Sequence, residues 1–299
     1  MSSTTDTASI LAANRRGIIL MSAAMSVFIV NDMLMKIAAE TLPASQAIGI
    51  RGMMSATWIL IVVLSVAPAR ELRWVVEPHI LVRSTFDIVG SFAYLLALFH
   101  LPIATATAIN TATPIFLTIM AVFFLRESVG WRRWSAVAAG FAGVLLVVRP
   151  TAEGLNWWAL LVLAATGVLA FRDIFTRRIP TGVPSIVISL SNALWVGMAG
   201  CVLAPFDDWR AMAWRDWLIL GSASLFLAIG YHWVIVAMRS GEASVIGAFR
   251  YSGLLWAVVI GWVVWNQVPD GLTWAGIALI VGAGLYIVHR ERVRARQRT

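Results

Sequence analysis

Two stretches of this sequence share one sparse pattern of polar residues: NDMLMKIAAETLP at residues 31–43 and RDIFTRRIPTGVP at residues 172–184. In each stretch a polar residue precedes an aspartate, a basic residue follows four positions later, and a proline ends the run, at a constant offset of 141. Further landmarks repeat at an offset of 140, namely Gly90 with Gly230, Asn110 with Arg250, Glu127 with Gln267 and Trp134 with Trp274. The chain therefore contains two copies of one unit.

The composition places both copies in a membrane. Hydrophobic residues make up 60% of the chain and charged residues 13%, whereas a soluble protein carries about 25% charged residues. The apolar runs are about 20 residues long, which is enough to cross the hydrocarbon core of a bilayer. Because these runs lack a two-residue alternation, they predict helices rather than barrel strands. We therefore predict an all-α membrane protein and exclude a soluble globule.

Ten transmembrane helices are predicted, five in each copy. Because each copy has an odd number of spans, the second copy is expected to lie upside down, which gives two inverted five-helix repeats. The repeats cover 17–150 and 151–289, with a cytoplasmic segment at 1–16 and a basic cytoplasmic tail at 290–299. The predicted spans are 17–39, 44–67, 79–100, 103–125, 132–149, 156–178, 184–204, 216–238, 243–265 and 272–289.

Most of the 23 lysines and arginines fall on one side of the predicted membrane. That side also holds both chain ends, so the positive-inside rule predicts cytoplasmic termini. The loop 205–215, with Asp207 and Asp208, is predicted to lie outside. Tryptophans cluster near the predicted interfaces and are interpreted as membrane anchors. Because the net charge of +8 lies mainly in short loops and the tail, it indicates topology rather than nucleic-acid binding.

Signals for enzymatic chemistry are absent from the sequence. It contains no GxSxG, no HExxH and no acidic pair at metal-binding spacing. The histidines are scattered over separate spans or span ends, and Cys201 is the single cysteine. We therefore predict no enzyme, no metal site and no cofactor.

Motifs in both copies carry a family resemblance. They are NDMLMK at 31–36 with Pro43 and Arg51 after it, AxATAxNTATPIF at 104–116 followed by Arg126-Glu127, and the glycine-rich segments AVAAGFAGVLLV and GIALIVGAGLYIV. With these motifs the chain resembles the drug/metabolite transporter superfamily, specifically the ten-span EamA-type permeases. The second copy departs from the pattern, since Gln267 stands in the place of Glu127 and Arg250-Tyr251 in the place of Asn110-Thr111.

The resemblance implies a secondary transporter of the bacterial inner membrane that exports small amphipathic metabolites, such as aromatic and neutral amino acids. Inverted repeats also favour transport, because two near-equal halves rocking about a central site give alternating access. The alternatives are a non-transporting scaffold or receptor subunit and an exporter of drug-like amphiphiles. The expected partners are a small-molecule substrate and the lipid bilayer, with the protein a monomer or homodimer.

Arg250 is a charge deep inside a predicted span. It lies about seven residues into span nine, roughly 10 Å along the helix, where a charge is costly unless it is paired or hydrated. It is predicted either to hold an anionic group of the substrate or to pair with Asp87 of span three. Arg83 lies one helical turn from Asp87 and can satisfy that carboxylate instead, leaving Arg250 free.

Two more charge pairs have a spacing of four residues, Asp32 with Lys36 and Asp173 with Arg177. Each pair is predicted to neutralise itself on its own helix. Asp32, beside Asn31, is also the best candidate for a proton-coupled carboxylate.

Span four is small and polar from Ala104 to Pro114. Small residues permit close helix packing, and Pro114 frees the carbonyl of Asn110 from its helical hydrogen bond. Asn110, Thr113 and Pro114 are therefore predicted to form a polar spot in the wall of a central cavity.

Amphipathic rings inside the predicted spans are interpreted as cavity wall rather than as plain packing. These candidate residues are Tyr94, Tyr231, His232, Tyr251 and Trp256. The cavity is expected among spans one, three, four, six, eight and nine, while spans five and ten are expected to serve packing or dimer formation.

Overall fold

The structure is a computed structural model that describes residues 2–66, 68–125, 131–148, 156–176, 179–180, 182–240, 246 and 249–296. Every regular element in this part of the chain is helical, which confirms the all-α prediction. The helices are α1 (Ser2–Ala38), α2 (Ala44–Val66), α3 (Pro78–His100), α4 (Ile103–Asn110), α5 (Thr113–Leu125), α6 (Trp131–Val148), α7 (Trp157–Thr176), α8 (Ser185–Val202), α9 (Trp214–Ser240), α10 (Ser252–Trp265) and α11 (Gly271–Arg296). Short 3-10 helices cover Ala69–Val76, Ala204–Phe206 and Phe249–Tyr251.

Seven helical segments in the described part of the chain are long and apolar enough to cross a membrane, and three shorter apolar helices accompany them. The shorter ones are Trp134–Val148, Phe249–Trp265 and Gly271–Tyr286. The predicted spans agree with these segments to within a few residues, but α1 already begins at Ser2 and α11 continues to Arg296. The start of predicted span nine lies outside the described residues.

The fourth apolar segment is broken where proline was expected to break it. α4 ends at Asn110 and α5 begins at Thr113, one residue before Pro114. Pro114 has no N–H to donate to the Asn110 carbonyl, and the Thr113 hydroxyl donates to that carbonyl instead at 2.6 Å. The predicted effect of Pro114 on the helix is confirmed.

The helix packing repeats when the two halves of the chain are exchanged. α1 packs along α9, while α7, the counterpart of α1, packs along α3, the counterpart of α9. The repeated glycines make the same contact twice: Gly230 packs against Phe28, and Gly90 packs against Leu169. The sequence offsets take Gly90 to Gly230 and Phe28 to Leu169, so the two contacts are counterparts. This supports a two-fold relation between the halves.

Glycines set the closest contacts between the two halves. A Cβ on Gly52 of α2 would lie 2.5 Å from the Cα of Gly197 of α8, a distance that no real Cβ tolerates. In the same way a Cβ on Gly143 of α6 would lie 2.7 Å from the carbonyl oxygen of Gly276 of α11. Small residues allow helices to approach this closely in a membrane. The α6–α11 contact supports the predicted packing role of spans five and ten.

Replacing Gly52 with valine is expected to destabilise the protein by about 3 kcal/mol, because the backbone of α8 cannot move aside as a flexible side chain can. The measurement is the thermal unfolding midpoint of the purified protein in detergent. Gly282→Val is the matched control, since a Cβ on Gly282 meets nothing within 4 Å. Equal midpoints for the two variants would contradict the close α2–α8 crossing.

The outer surface of the described helices carries large apolar side chains, as expected of a protein in contact with lipid. Trp131, Trp157 and Trp214 are about three-quarters exposed at the first residues of their helices, where anchors were predicted. Two of the predicted anchors are partly buried instead. The indole of Trp209 donates to the Ser45 hydroxyl at 2.7 Å, and the Lys36 amine lies 5.8 Å from the ring centre of Trp265.

Candidate functional site

A polar cluster lies where α1, α2 and α3 meet, and we call its four residues, Asn31, Asp32, Arg51 and Tyr94, the Asp32 cluster. The carboxylate of Asp32 accepts a hydrogen bond from the Tyr94 hydroxyl at 2.8 Å and one from Nδ2 of Asn31 at 3.0 Å. Nη1 of Arg51 donates to Oδ1 of Asn31 at 3.3 Å, and Arg51 also interacts electrostatically with Asp32. The cluster therefore holds one negative and one positive group side by side.

One polar atom of this cluster, Nε of Arg51, has no hydrogen-bond partner within the described part of the chain, on a side chain that is only 6% exposed. Thr107 of α4 lies beside Tyr94 and extends the polar group. An unpaired buried polar group costs about 1–3 kcal/mol, so the free N–H of Arg51 is suited to donate to an acceptor on a bound molecule. The Asp32 cluster thus has unused hydrogen-bonding capacity.

Tyr231 of α9 connects the Asp32 cluster to a second group of charges. Its hydroxyl accepts a hydrogen bond from Nδ2 of Asn192 at 3.1 Å, and its ring packs edge-on against Phe28 with 5.4 Å between ring centres. The hydroxyl also interacts electrostatically with Arg51 on one side and with Asp87 on the other. Tyr231 is therefore part of the polar interior, and its predicted place in a cavity wall stays a prediction.

The second group of charges joins α3 to α7, and we call its residues, Arg83, Asp87, Arg172 and Asp173, the Asp87 cluster. Asp87 is fully buried, and its two carboxylate oxygens accept hydrogen bonds from Nη1 of Arg83 and Nη1 of Arg172. Arg172 also donates to Asp173 at 2.6 Å. The two arginines and two aspartates balance each other in charge, so the cluster can remain in a dry interior.

Three predicted charge pairs are decided by these contacts. The pairing of Arg83 with Asp87 is confirmed. The alternative pairing of Asp87 with Arg250 is wrong, because Arg83 and Arg172 occupy both oxygens of Asp87. The predicted pair of Asp32 and Lys36 is also wrong, because the Lys36 amine donates to backbone carbonyls of α3 instead.

The amine of Lys36 turns away from Asp32 toward the end of α3. It donates to the backbone carbonyls of Leu98, Phe99 and Leu101 at 2.7, 3.3 and 2.5 Å. A helix leaves its last carbonyls without intrahelical donors, and a lysine amine has three N–H groups to give. Lys36 therefore caps α3. The other predicted pair, Asp173 with Arg177, involves a residue outside the described part of the chain.

Arg250 lies in the 3-10 turn Phe249–Tyr251 that precedes α10, and its side chain is exposed. The turn packs mainly against α1 and α10. Among the described residues Arg250 makes no ion pair. Its sequence counterpart Asn110 is partly buried, and the Thr166 hydroxyl of α7 lies 3.5 Å from Oδ1 of Asn110. The two counterparts therefore have different surroundings, and Arg250 has no described contact that supports a substrate role.

The other aromatic candidates separate into different places. Trp256 is 44% exposed, on the same face of α10 as Val259 and Val263, and its place in a cavity wall stays a prediction. The Tyr251 hydroxyl packs onto Gly284 of α11 and has no hydrogen-bond partner among the described residues. His232 is exposed and lines a surface pocket between α1 and α9.

Sequence reasoning missed several residues of the two clusters as site candidates. Arg51 was noted only as a motif residue and a topology charge, and Arg172 only as the counterpart of Asn31. Thr107 and Asn192 carried no separate signal. Their positions inside predicted spans were the available clue, since polar groups at that depth need partners.

The EamA-like transporter family matches residues 15–149 and, a second time, residues 156–289. The chain belongs to this family. It is therefore a multi-pass membrane transporter rather than an enzyme, and the family region occurs twice in it. This agrees with the buried polar clusters, which lie among helices that are otherwise apolar.

Similar proteins carry different substrates in their names. A riboflavin transporter of Rhizobium johnstonii is 28% identical over 226 residues, covering 73% of this chain and 72% of that protein. An S-adenosylmethionine uptake transporter of Rickettsia bellii is 27% identical, covering 72% of this chain and 73% of that protein. The pseudopaline exporter CntI of Pseudomonas aeruginosa is 24% identical, covering 90% of this chain and 94% of that protein. None of these three names is that of an amino-acid exporter.

A solved structure, titled as a crystal structure of a protein, has a similar fold. The TM-score is 0.65 at 17% identity, and the likeness covers 92% of this chain and 97% of that one. At this identity the likeness supports the fold alone.

Proposed function

We propose that this chain is a secondary transporter of the bacterial inner membrane that moves a small amphipathic metabolite past the Asp32 cluster by alternating access. The observation that carries the proposal is a buried carboxylate and a buried guanidinium joined through Asn31, with Nε of Arg51 left without a partner among the described residues. Such a site offers a carboxylate to a donor or cation and a guanidinium to an acceptor or anion. An amino-acid zwitterion has both complements.

The two clusters are proposed to be successive stations on one path. Asp87 and Tyr94 lie seven residues apart on α3, which places them on one face of the helix about 10 Å apart along its axis. Tyr231 interacts with members of both clusters. In this arrangement the Asp87 cluster closes the path by holding α3 to α7, while the Asp32 cluster is the site that binds substrate. Alternating access requires that closing contact to break in the opposite state.

The proposed architecture is ten spans in two inverted five-helix repeats, with both termini in the cytoplasm. Its support is the exchange symmetry of the packing, in which α2 contacts α8 and α6 contacts α11. The basic residues near the chain ends set the orientation. Export is proposed from the family resemblance alone, since similar proteins include one named for uptake and one named as an exporter.

The orientation predicts that a cysteine at Asp208 is accessible from outside the cell. Asp208 is exposed in the loop between α8 and α9. In a Cys201→Ser background, Asp208→Cys is expected to react with a membrane-impermeant thiol reagent in intact cells. The measurement is mass-tag labelling before and after permeabilisation. Labelling that appears only after permeabilisation would reverse the proposed orientation.

Counterflow in proteoliposomes tests the proposed transport. The panel contains neutral and aromatic amino acids, riboflavin, S-adenosylmethionine and amphiphilic cations, and at least one compound is expected to exchange. Asp32→Asn is expected to lower that exchange about tenfold, because it removes one charge-assisted contact. Asp208→Asn, an equal change on an exposed loop, is expected to leave exchange unchanged. If no compound exchanges, the proposed class of small amphipathic substrates is wrong. If both variants exchange like the wild type, Asp32 is not in the path.

A further inference from the structure

A surface pocket of about 810 Å³ lies between α1 and α9, away from both polar clusters. From α1 it is lined by Arg15, Arg16, Ile19 and Leu20, and from α9 by His232, Trp233 and Val236. Tyr231 turns inward to Asn192, whereas the next residue, His232, is exposed. The lining of the pocket therefore contains none of the residues of the two polar clusters.

The lining of the pocket changes from charged to apolar along the direction of α1. Arg15 and Arg16 are exposed and precede the first apolar run, while Ile19 and Leu20 follow one helical turn later. No described carboxylate pairs with either arginine. α9 runs antiparallel to α1, with Gly17 beside Ala237, so Val236 lies near the arginine end of the pocket and Trp233 lies one helical turn deeper, beside the apolar part of α1. A phospholipid has the same order along the bilayer normal, with a charged headgroup first and acyl chains below.

We propose that this pocket binds the headgroup of an anionic phospholipid. Arg15 and Arg16 would bind its phosphodiester oxygens, since guanidinium groups match phosphate geometry. Ile19, Leu20 and Trp233 would line the first acyl segment below the arginines. A phosphate ion would fill only a small part of 810 Å³, whereas sites of this size hold larger ligands. Basic pockets between membrane helices on the cytoplasmic side bind such headgroups.

A lipid at this place would lie on the α1–α9 contact, which is the counterpart of the α3–α7 contact that the proposed transport cycle must break. α1 carries Asp32 and packs along α9, which carries Tyr231. A headgroup bound to both helices at one end of that contact would hold α1 against α9. Lipid binding at this site does not require transport, so its test is independent of the test of the proposed function.

Native mass spectrometry of the detergent-purified protein tests the proposal. Phosphatidylglycerol and phosphatidylcholine are titrated separately, and phosphatidylglycerol is expected to bind more tightly. Losing one arginine is expected to weaken its binding about fivefold, and Arg15→Gln/Arg16→Gln about twentyfold. Arg70→Gln/Arg73→Gln is the matched control, because it removes two arginines from the same predicted membrane face outside the pocket. That control is expected to bind like the wild type.

A second variant keeps both charges and fills the space. Ile19→Trp is tolerated at a position that is 58% exposed and is expected to weaken phosphatidylglycerol binding while the unfolding midpoint stays unchanged. Equal binding of the two lipids would overturn the proposal. So would weakening of the same size in the Arg70/Arg73 control, or wild-type binding by both pocket variants. Displacement of the lipid by soluble glycerol phosphate at equal concentration would assign the pocket to a soluble anion instead.

Discussion

Asp87→Asn is expected to lower the stability of this transporter by about 3–5 kcal/mol, the usual cost of removing one partner from a buried ion pair. The carboxylate of Asp87 is fully buried and receives one guanidinium on each oxygen. The amide keeps the shape of the side chain but leaves Arg83 and Arg172 facing each other with one negative charge fewer. The measurement is the thermal unfolding midpoint of the purified protein in detergent.

Double variants identify the partner of Asp87. Asp87→Asn/Arg172→Met is expected to recover a large part of the loss, because it removes the unpaired positive charge together with the negative one. Asp87→Asn/Arg250→Met is expected to recover nothing, since Arg250 makes no described contact with Asp87. Asp208→Asn, on the exposed loop, controls for loss of an aspartate in general. A wild-type midpoint for Asp87→Asn would contradict a closed Asp87 cluster.

The fold of this chain can be predicted from its sequence because the sequence signals that determine it are local. The lengths of the apolar runs predict the helices, and Pro114 predicts the break after Asn110. The two offsets also predict that the halves repeat, and the matching contacts of Gly90 and Gly230 agree with that repeat. None of these inferences needs the rotation of one helix against another.

The site is harder to predict from the sequence, because the partner of a buried charge depends on how one helix is rotated against another. The four-residue spacing correctly joined Arg83 to Asp87, and the same rule failed for Asp32 and Lys36. Nothing in the sequence indicates that the long side chain of Lys36 reaches the free carbonyls at the end of α3. The signal at Arg250 was its depth within the predicted span. Depth does not show whether a residue faces the protein interior or the exposed side of its helix.

Arg51→Met is expected to reduce exchange of a carboxylate-bearing substrate about tenfold to a hundredfold. The reason is that Arg51 is 6% exposed beside Asp32, and its Nε has no partner in the described part of the chain. A substrate anion that bonds this guanidinium loses a charge-assisted hydrogen bond worth about 1.5–3 kcal/mol. Arg51→Lys is expected to restore exchange only in part, because an ammonium cannot replace the planar fork of a guanidinium.

Arg250→Met is the matched control for Arg51→Met, since it makes the same chemical change at an exposed arginine on the counterpart of span four. It is expected to exchange substrate like the wild type. Counterflow is measured on all three variants with the substrate that the panel identifies, and unfolding midpoints separate lost binding from lost folding. Asp32 keeps its hydrogen bonds from Tyr94 and Asn31 in Arg51→Met, so that variant is expected to fold. An inactive Arg250→Met beside an active Arg51→Met would move the anion site to span nine, as the sequence first predicted.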